Sequence, residues 1–473
     1  MAQTPCIAAS NRRSNCAAKR RNAGYFEMTE PATRALPSTS GEWNHRVWSL
    51  AWPIILANMS VPLAGAVDTA VVGHLPDPSL IGAVGLAAVL FSFLYWAFAF
   101  LRMATTGFVA QRYGAKDYAE LHDSCVRAVL LGAIIGLALI ATQVPIAITF
   151  FRLIDGSASV EQHANTYFQY RIWGAPAALI NFAVLGILFG MQRMRGALIS
   201  QLVLNVTNVA LDLLFVVSFG WGVEGVAIAT VISEYLAMLV GLWFVVTSIR
   251  QFNTRTRWSL LLEASRIKQL VVVNLNLMVR TVSVLLVFAH FTAVSATLGD
   301  VLLAANVVLM HFFNLASYGL DGFAHAVEAL GGYAFGKRDK AAFKAAVRAS
   351  CVCSVGIACL FTLVFWLGGE MLVGVMTDIT IVRETSSTYL WWLIVIPVIA
   401  VWSFLLDGVF VGATRSAAMR DCMLLSGGAY LVTVWLTLPL LGNHGLWLSI
   451  SVFVVVRGLV LWWQYPKLLE TLD

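Results

Sequence analysis

Charge is what this sequence has least of. Asp, Glu, Lys and Arg make up 12% of its 473 residues, about half the share of an average soluble chain. That excludes an ordinary soluble globule. Catalytic signatures are missing as well. There is no HExxH, no GxSxG and no GxxxxGK[ST], so neither an embedded enzyme nor an ATP-driven machine has a motif to stand on. Uphill work would have to draw on an ion gradient. The seven cysteines include no Cys-x-x-Cys pair. Cys351 and Cys353 point to different faces of one helix and read as small apolar packing residues. Residues 1–42 hold no apolar core of signal-peptide length, and no acid precedes Glu27. With Arg12, Arg13, Lys19, Arg20 and Arg21 they predict a disordered basic tail, compatible with a transit peptide or with a true start at Met28.

What is there is apolar. Hydrophobic residues make up 59%, and the mean hydropathy is +0.79. Apolar runs predict twelve membrane spans, near 47–74, 80–111, 123–150, 162–190, 196–218, 224–249, 266–297, 301–335, 342–372, 384–413, 418–440 and 444–466. Alternate loops carry nearly all the bases. One set holds Arg112, Lys116, Arg193, Arg195, Arg250, Arg255, Arg257, Arg266, Lys268, Lys337, Arg338, Lys340, Arg415 and Lys467, against Arg152 and Arg383 on the other side. The positive-inside rule puts the basic loops and both termini in the cytoplasm, as expected for an inner-membrane protein. The bases punctuate loops rather than form a groove-sized patch, so nucleic acid is not an expected partner.

The chain also repeats itself. Gly107-Phe-Val-Ala-Gln-Arg-Tyr-Gly-Ala-Lys-Asp117 returns as Gly331-Gly-Tyr-Ala-Phe-Gly-Lys-Arg-Asp339, with Gly114 and Gly336 222 positions apart. Val126-Arg127-Ala128 echoes Val347-Arg348-Ala349. Pro176 echoes Pro397, Gly190 echoes Gly412, and Gly222–Gly225 echoes Gly442–Gly445. Six spans per half is even, so both halves run in the same direction. This predicts an all-α polytopic protein of two six-helix lobes related by a parallel repeat, as in transporters that rock about a central cavity. The expected boundaries are a tail at 1–44, an N-lobe at 45–250, a linker at 251–265 with Arg255, Arg257 and Trp258, a C-lobe at 266–466 and a short tail at 467–473.

Polar groups inside spans are costly and mark function by default. The first span carries Pro53, Asn58, Pro62 and Asp68. The prolines each remove a backbone donor and favour a bend. Asp68 has apolar residues on both sides, Ala66-Val67 and Ala70-Val71-Val72, and no base within a turn, which suits a proton carrier, while a sodium ion would favour its charged form. The fifth span places Asn205, Asn208 and Asp212 on one face, which cannot face lipid. Such oxygens suit a hard cation or a proton relay, and interhelical hydrogen bonding would use them equally well. The eighth span holds Asp321, His325 and Glu328 on one face, a second candidate site for proton or substrate, in which His325 is free to pair with either acid. Thr106 stands opposite Glu328 in the repeat, so the lobes are not chemically equivalent. Arg102, Arg280, Glu234, Asp407 and Arg457 read as charge balance, with acids outnumbering bases in the lobe interiors.

Three stretches resemble the multidrug and toxic compound extrusion (MATE) family, in its DNA-damage-inducible-F-like branch. They are Val67-Asp68-Thr69-Ala70-Val71-Val72-Gly73-His74-Leu75, the paired glycine–basic–aspartate loops, and Leu320-Asp321-Gly322-Phe323-Ala324-His325-Ala326-Val327-Glu328-Ala329. The resemblance covers about 45–466. It implies a MATE-like fold and export of amphiphilic, often cationic, organic compounds in exchange for H⁺ or Na⁺. It implies no cofactor beyond that coupling ion, and a monomer whose partners are a small organic solute and the bilayer. Carried over from the family, the cation or proton site falls on Asp68, Tyr167 (with Tyr170 as rival), Asn208, Asp212 and Thr230, with sodium possible at Asp68, Asn208 and Asp212. Pro53 falls where the family's first helix bends. A lipid-linked oligosaccharide flippase of the same superfamily is the alternative, and such proteins usually carry more spans and a cationic cavity.

Overall fold

A computed structural model gives the fold and describes residues 36–73, 78–153, 158–257, 261 and 263–473. No strand occurs among them; the chain is all helix. In order the helices are α1 (Ser40–Gly73), α2 (Pro78–Trp96), α3 (Phe100–Gly114), α4 (Tyr118–Ala141), α5 (Gln143–Leu153), α6 (Ala158–Arg171), α7 (Ala175–Gly190), α8 (Met194–Asp212), α9 (Val223–Arg250), α10 (Ala264–Thr297), α11 (Asp300–Gly336), α12 (Lys340–Met376), α13 (Thr380–Gly412), α14 (Ser416–Leu441) and α15 (Asn443–Glu470). Eleven helical stretches among the described residues are long and apolar enough to cross a membrane. The remaining expected span is α1, long enough at 34 residues. The expected tail at 1–44 lies outside the described residues up to 35, and α1 already begins at Ser40. The expected tail at 467–473 is shorter than read, because α15 runs to Glu470.

Spans two to five were expected as single helices and are not. The second is broken at 97–99, where Phe98 N–H donates to Tyr95 O at 2.9 Å and Ala99 N–H to Trp96 O at 3.0 Å. The third breaks at Thr142, just before Pro145, whose missing N–H leaves Ala141 without its helical donor. The fourth passes through a tight 3₁₀ turn, Ile172–Gly174, before Pro176. The fifth widens after Asp212 into a π-type turn, Leu213–Ser218, where Phe219 N–H reaches back five residues to Leu214 O at 3.0 Å. In contrast α10 to α15 run unbroken, even through Pro397, Pro439 and Pro466.

The repeat persists in the backbone. Lys116 and Arg338, and again Gln192 and Thr414, turn the chain with positive φ, at 59°, 56°, 59° and 54°. Each pair stands 222 positions apart. Asp117 and Asp339 then cap α4 and α12, accepting from Glu120 N–H at 3.1 Å and Ala342 N–H at 2.9 Å. The Ala342 amide holds the Asp339 carboxyl below the usual carboxylate value.

In lipid, helices associate through close packing of small residues rather than by a hydrophobic drive. Gly186 and Gly190 on α7 lie on α3, where a methyl would fall 2.6 Å from Arg102 O and 2.9 Å from Thr106 O. Gly408 and Gly412 on α13 lie on α11 in the same way, 2.2 Å from Ala324 O and 2.5 Å from Glu328 O. The lobes, α1–α9 and α10–α15, meet on the side of the basic loops. A methyl at Gly114 would fall 1.9 Å from Tyr333 O, and one at Gly336 the same distance from Gln111 O. Gln111 Nε2 donates to Gly412 O at 2.9 Å and to Thr414 Oγ1 at 3.1 Å. Trp48 on α1 packs edge-on against Phe323 on α11, centroids 5.1 Å apart. The linker is tied down on the same side. Arg257 donates to Asp123 from its backbone N–H at 3.1 Å and its Nε at 2.9 Å, and Arg266 pairs with Glu120. Trp258 lies outside the described residues.

Candidate ion and solute sites

In the N-lobe, the polar face of α8 is buried as its spacing requires. Asn205, Asn208 and Asp212 are 6%, 4% and 0% exposed. Asn205 Nδ2 donates to Ser60 Oγ on α1 at 2.5 Å, between the two prolines of that helix. Asn208 Nδ2 donates to Thr230 Oγ1 on α9 at 3.3 Å, and that hydroxyl donates to Val226 O at 2.8 Å. Asp212 closes α8, immediately before the widened turn. Of the two candidate tyrosines on α6, Tyr167 is buried, its ring 6.2 Å from Phe91, while Tyr170 is 45% exposed. Pro53 is buried within α1. The side chain of Asp68 lies outside the described residues.

The eighth-span stripe, on α11, resolves one open pairing. His325 Nδ1 lies 3.1 Å from Glu328 Oε2. Asp321 takes no hydrogen bond from His325 among the described residues, though His325, Arg102, Arg280 and Arg457 lie within electrostatic reach of it. Glu328 is 1% exposed. Its second partner comes from the other lobe: Arg102 Nη1 on α3, at 3.4 Å from Glu328 Oε2 and 3.5 Å from His325 Nδ1. Phe189 walls the group, 5.6 Å from the Arg102 guanidinium and 5.3 Å from the His325 ring. Nearby, buried Asp407 on α13 is gripped by both Arg280 and Arg457, and Arg280 Nη1 reaches Met103 Sδ across the lobe boundary at 3.8 Å.

Along this boundary the expected excess of acids over bases is absent, while Asp68, Asp212 and Glu234 against Arg171 keep it within the N-lobe. Three arginines, Arg102, Arg280 and Arg457, stand against Asp321, Glu328 and Asp407 along this boundary. The arginines balance charge, as their sequence context suggests. The joining of the two lobes by Arg102, through Glu328, was missed. So was Arg171, which forms a two-pronged pair with Glu234 in the N-lobe. The available signal was an intramembrane arginine, since each needs a buried partner. No group of three His, Cys, Asp or Glu able to hold a metal occurs among the described residues.

The MatE family model matches residues 53–214 and again 277–436, once in each half. The chain is 39% identical to DNA damage-inducible protein F of Escherichia coli K12, over 88% of this chain and 90% of that one. It is 24% identical to multidrug resistance protein NorM of Vibrio cholerae, over 87% and 93% of the two chains. A solved structure described as the outward-facing conformation of a multidrug resistance MATE family transporter of the MOP superfamily superposes with a TM-score of 0.82. It is 20% identical and covers 91% of this chain and 96% of that one.

Proposed function

We propose that this chain, which belongs to the multidrug and toxic compound extrusion family of membrane transporters, is a secondary antiporter that exports amphiphilic, often cationic, organic solutes in exchange for H⁺ or Na⁺. Proteins of this family are transporters, not enzymes, and need no cofactor. The observation that carries the reading is the meeting of Asn208 and Thr230 at 3.3 Å, beside fully buried Asp212. An amide, a hydroxyl and a carboxylate are hard oxygen ligands that suit sodium, and the carboxylate alone suits a proton. Tyr167 completes this pocket. Asp68 follows Ser60 by eight residues, and Asp212 follows Asn205 by seven. The Ser60–Asn205 hydrogen bond therefore supports a shared site for the two carboxylates, two turns further on. The same bond lies between Pro53 and Pro62, where protonation or ion release would be felt by the bending helix.

The Asp321–His325–Glu328 side takes a different part. Glu328 is shut away beneath Arg102, so the lobes must part before solute or a proton reaches it. Basic loops on the closed side put that side and both termini in the cytoplasm, with the cavity facing outward in an inner membrane. The transporter works as a monomer. The balanced boundary offers no cationic cavity for a lipid-linked oligosaccharide.

Asp68→Asn is the test. Reconstituted protein should fold, bind dye and lose gradient-driven efflux. Full efflux in that variant removes Asp68 from coupling.

A further inference from the structure

Tyr167 on α6 and Thr230 on α9 belong to two different spans of the proposed pocket. One helical turn beyond each stands a charge, Arg171 and Glu234. The two charges meet in a fork. Arg171 Nη1 donates to Glu234 Oε2 at 2.9 Å, and Nη2 donates to Oε1 at 2.6 Å. They are 7% and 6% exposed.

The surroundings are built to hold this pair. Arg171 Nη1 also donates to Tyr95 Oη at 3.3 Å. The guanidinium lies 5.1 Å from the Phe91 ring centre and 5.2 Å from that of Tyr95. Phe91 in turn faces the ring of Tyr167. The 3₁₀ turn brings Gly174 so close that a methyl there would fall 2.4 Å from Glu234 Oε2 and 2.7 Å from Arg171 Nη1. Stability does not explain such an arrangement. Desolvating two charges offsets most of what their attraction returns, and apolar residues of similar size often do as well. What a planar fork supplies that apolar packing does not is a fixed distance and angle between two helices.

We propose that Arg171 and Glu234 are positioning residues, whose two-pronged bond sets the separation of α6 and α9 and thereby the fit of the Tyr167–Thr230 pocket to the coupling ion. This rests on the reading of that pocket as the ion site. The pair is neutral as a whole, so it shapes the pocket without competing for the ion. It acts on ion affinity and leaves the solute's own contacts alone.

The experiment uses the full chain in proteoliposomes, with ethidium efflux driven by graded proton gradients and then by graded sodium gradients. Arg171→Met/Glu234→Met removes both charges together and keeps the bulk. Arg171→Lys keeps the charge and loses the fork. The double variant should fold and need roughly tenfold more driving ion for half-maximal efflux, the size of effect seen when a supporting partner of a bound ion is lost. Its half-saturating ethidium concentration should stay as in the parent. Arg171→Lys should shift ion dependence in the same direction by less. Parental ion dependence in the folded double variant overturns the proposal. If the double variant does not fold, Arg171→Lys decides alone, by the same criterion. Asp212→Asn separates the two readings. Loss of ion dependence there with unshifted pair variants overturns the positioning role and keeps the pocket. Parental ion dependence in Asp212→Asn overturns both.

Discussion

The contact of α3 with α7 in the N-lobe and that of α11 with α13 in the C-lobe share one backbone design. Gly186 rests on Arg102 O as Gly408 rests on Ala324 O, and Gly190 on Thr106 O as Gly412 on Glu328 O. All four correspondences step by 222 positions. The side chains at those steps have nothing in common: Arg102 answers Ala324, and Thr106 answers Glu328. Because the lobes face each other, the one arginine meets the one carboxylate across the boundary. Glycine spacing thus carries the fold, and the repeat leaves side chains free to make the lobes unlike. The breaks follow the same division. Spans two to five of the N-lobe are each interrupted, while the C-lobe helices run through. Two of the four interruptions fall beside residues of the proposed site: the 3₁₀ turn directly after Arg171 and the π-type turn directly after Asp212. Irregular turns of this kind are frequent at functional sites.

The largest contrast between the lobes should come from charge. Arg171 stands five residues before Pro176, and Trp392 five before Pro397. Glu234→Gln leaves the Arg171 guanidinium buried without its counter-ion and should lower stability by about 3–5 kcal/mol. Trp392→Phe removes the indole donation to His444 Nδ1 at 3.2 Å and part of a buried ring and should lower it by about 2 kcal/mol. Thermal unfolding in detergent compares them, and equal losses would break the asymmetry between the lobes.

A middle-sized effect tests the symmetry instead. Gly114→Ala and Gly336→Ala each push a methyl into the carbonyl of the facing lobe, at a strain of about 1–3 kcal/mol. Both should loosen the closed side. Maleimide labelling of Ala110→Cys, a position buried at this boundary, in a background free of native cysteines should rise in both to a similar degree. A rise in one alone would mean that the two glycines do not serve one joint.

The smallest effect concerns the caps. Asp117→Ala and Asp339→Ala should each lower stability by about 1 kcal/mol. The Asp339 carboxyl is held below its ordinary value by the Ala342 amide. Its contribution is therefore complete above the unfolded carboxylate value and fades as pH falls through the lower folded one. Unfolding midpoints of Asp339→Ala and parent should converge in acid, and a constant gap would remove the capping role.

Much of this was legible in the chain. Apolar runs locate the spans, and the glycine–basic–aspartate loops reveal the repeat, because both are local signals. The Asn205–Asn208–Asp212 face could be read because one helix sets it. Partners could not. Arg171 and Glu234 are separated by 63 positions, and Arg102 and Glu328 by 226. Each pairing depends on the register of two packed helices, which no single helix records. The widened turn after Asp212 was hidden for a related reason, since Leu213–Ser218 is as apolar as any helical stretch.

Ion coupling is proposed for the N-lobe and not for the lobe boundary. Proteoliposomes with an imposed proton gradient, then a sodium gradient, should show ethidium efflux abolished by Asp68→Asn, with the protein folded and ethidium still bound. Efflux at the parental rate in Asp68→Asn under both gradients would contradict it.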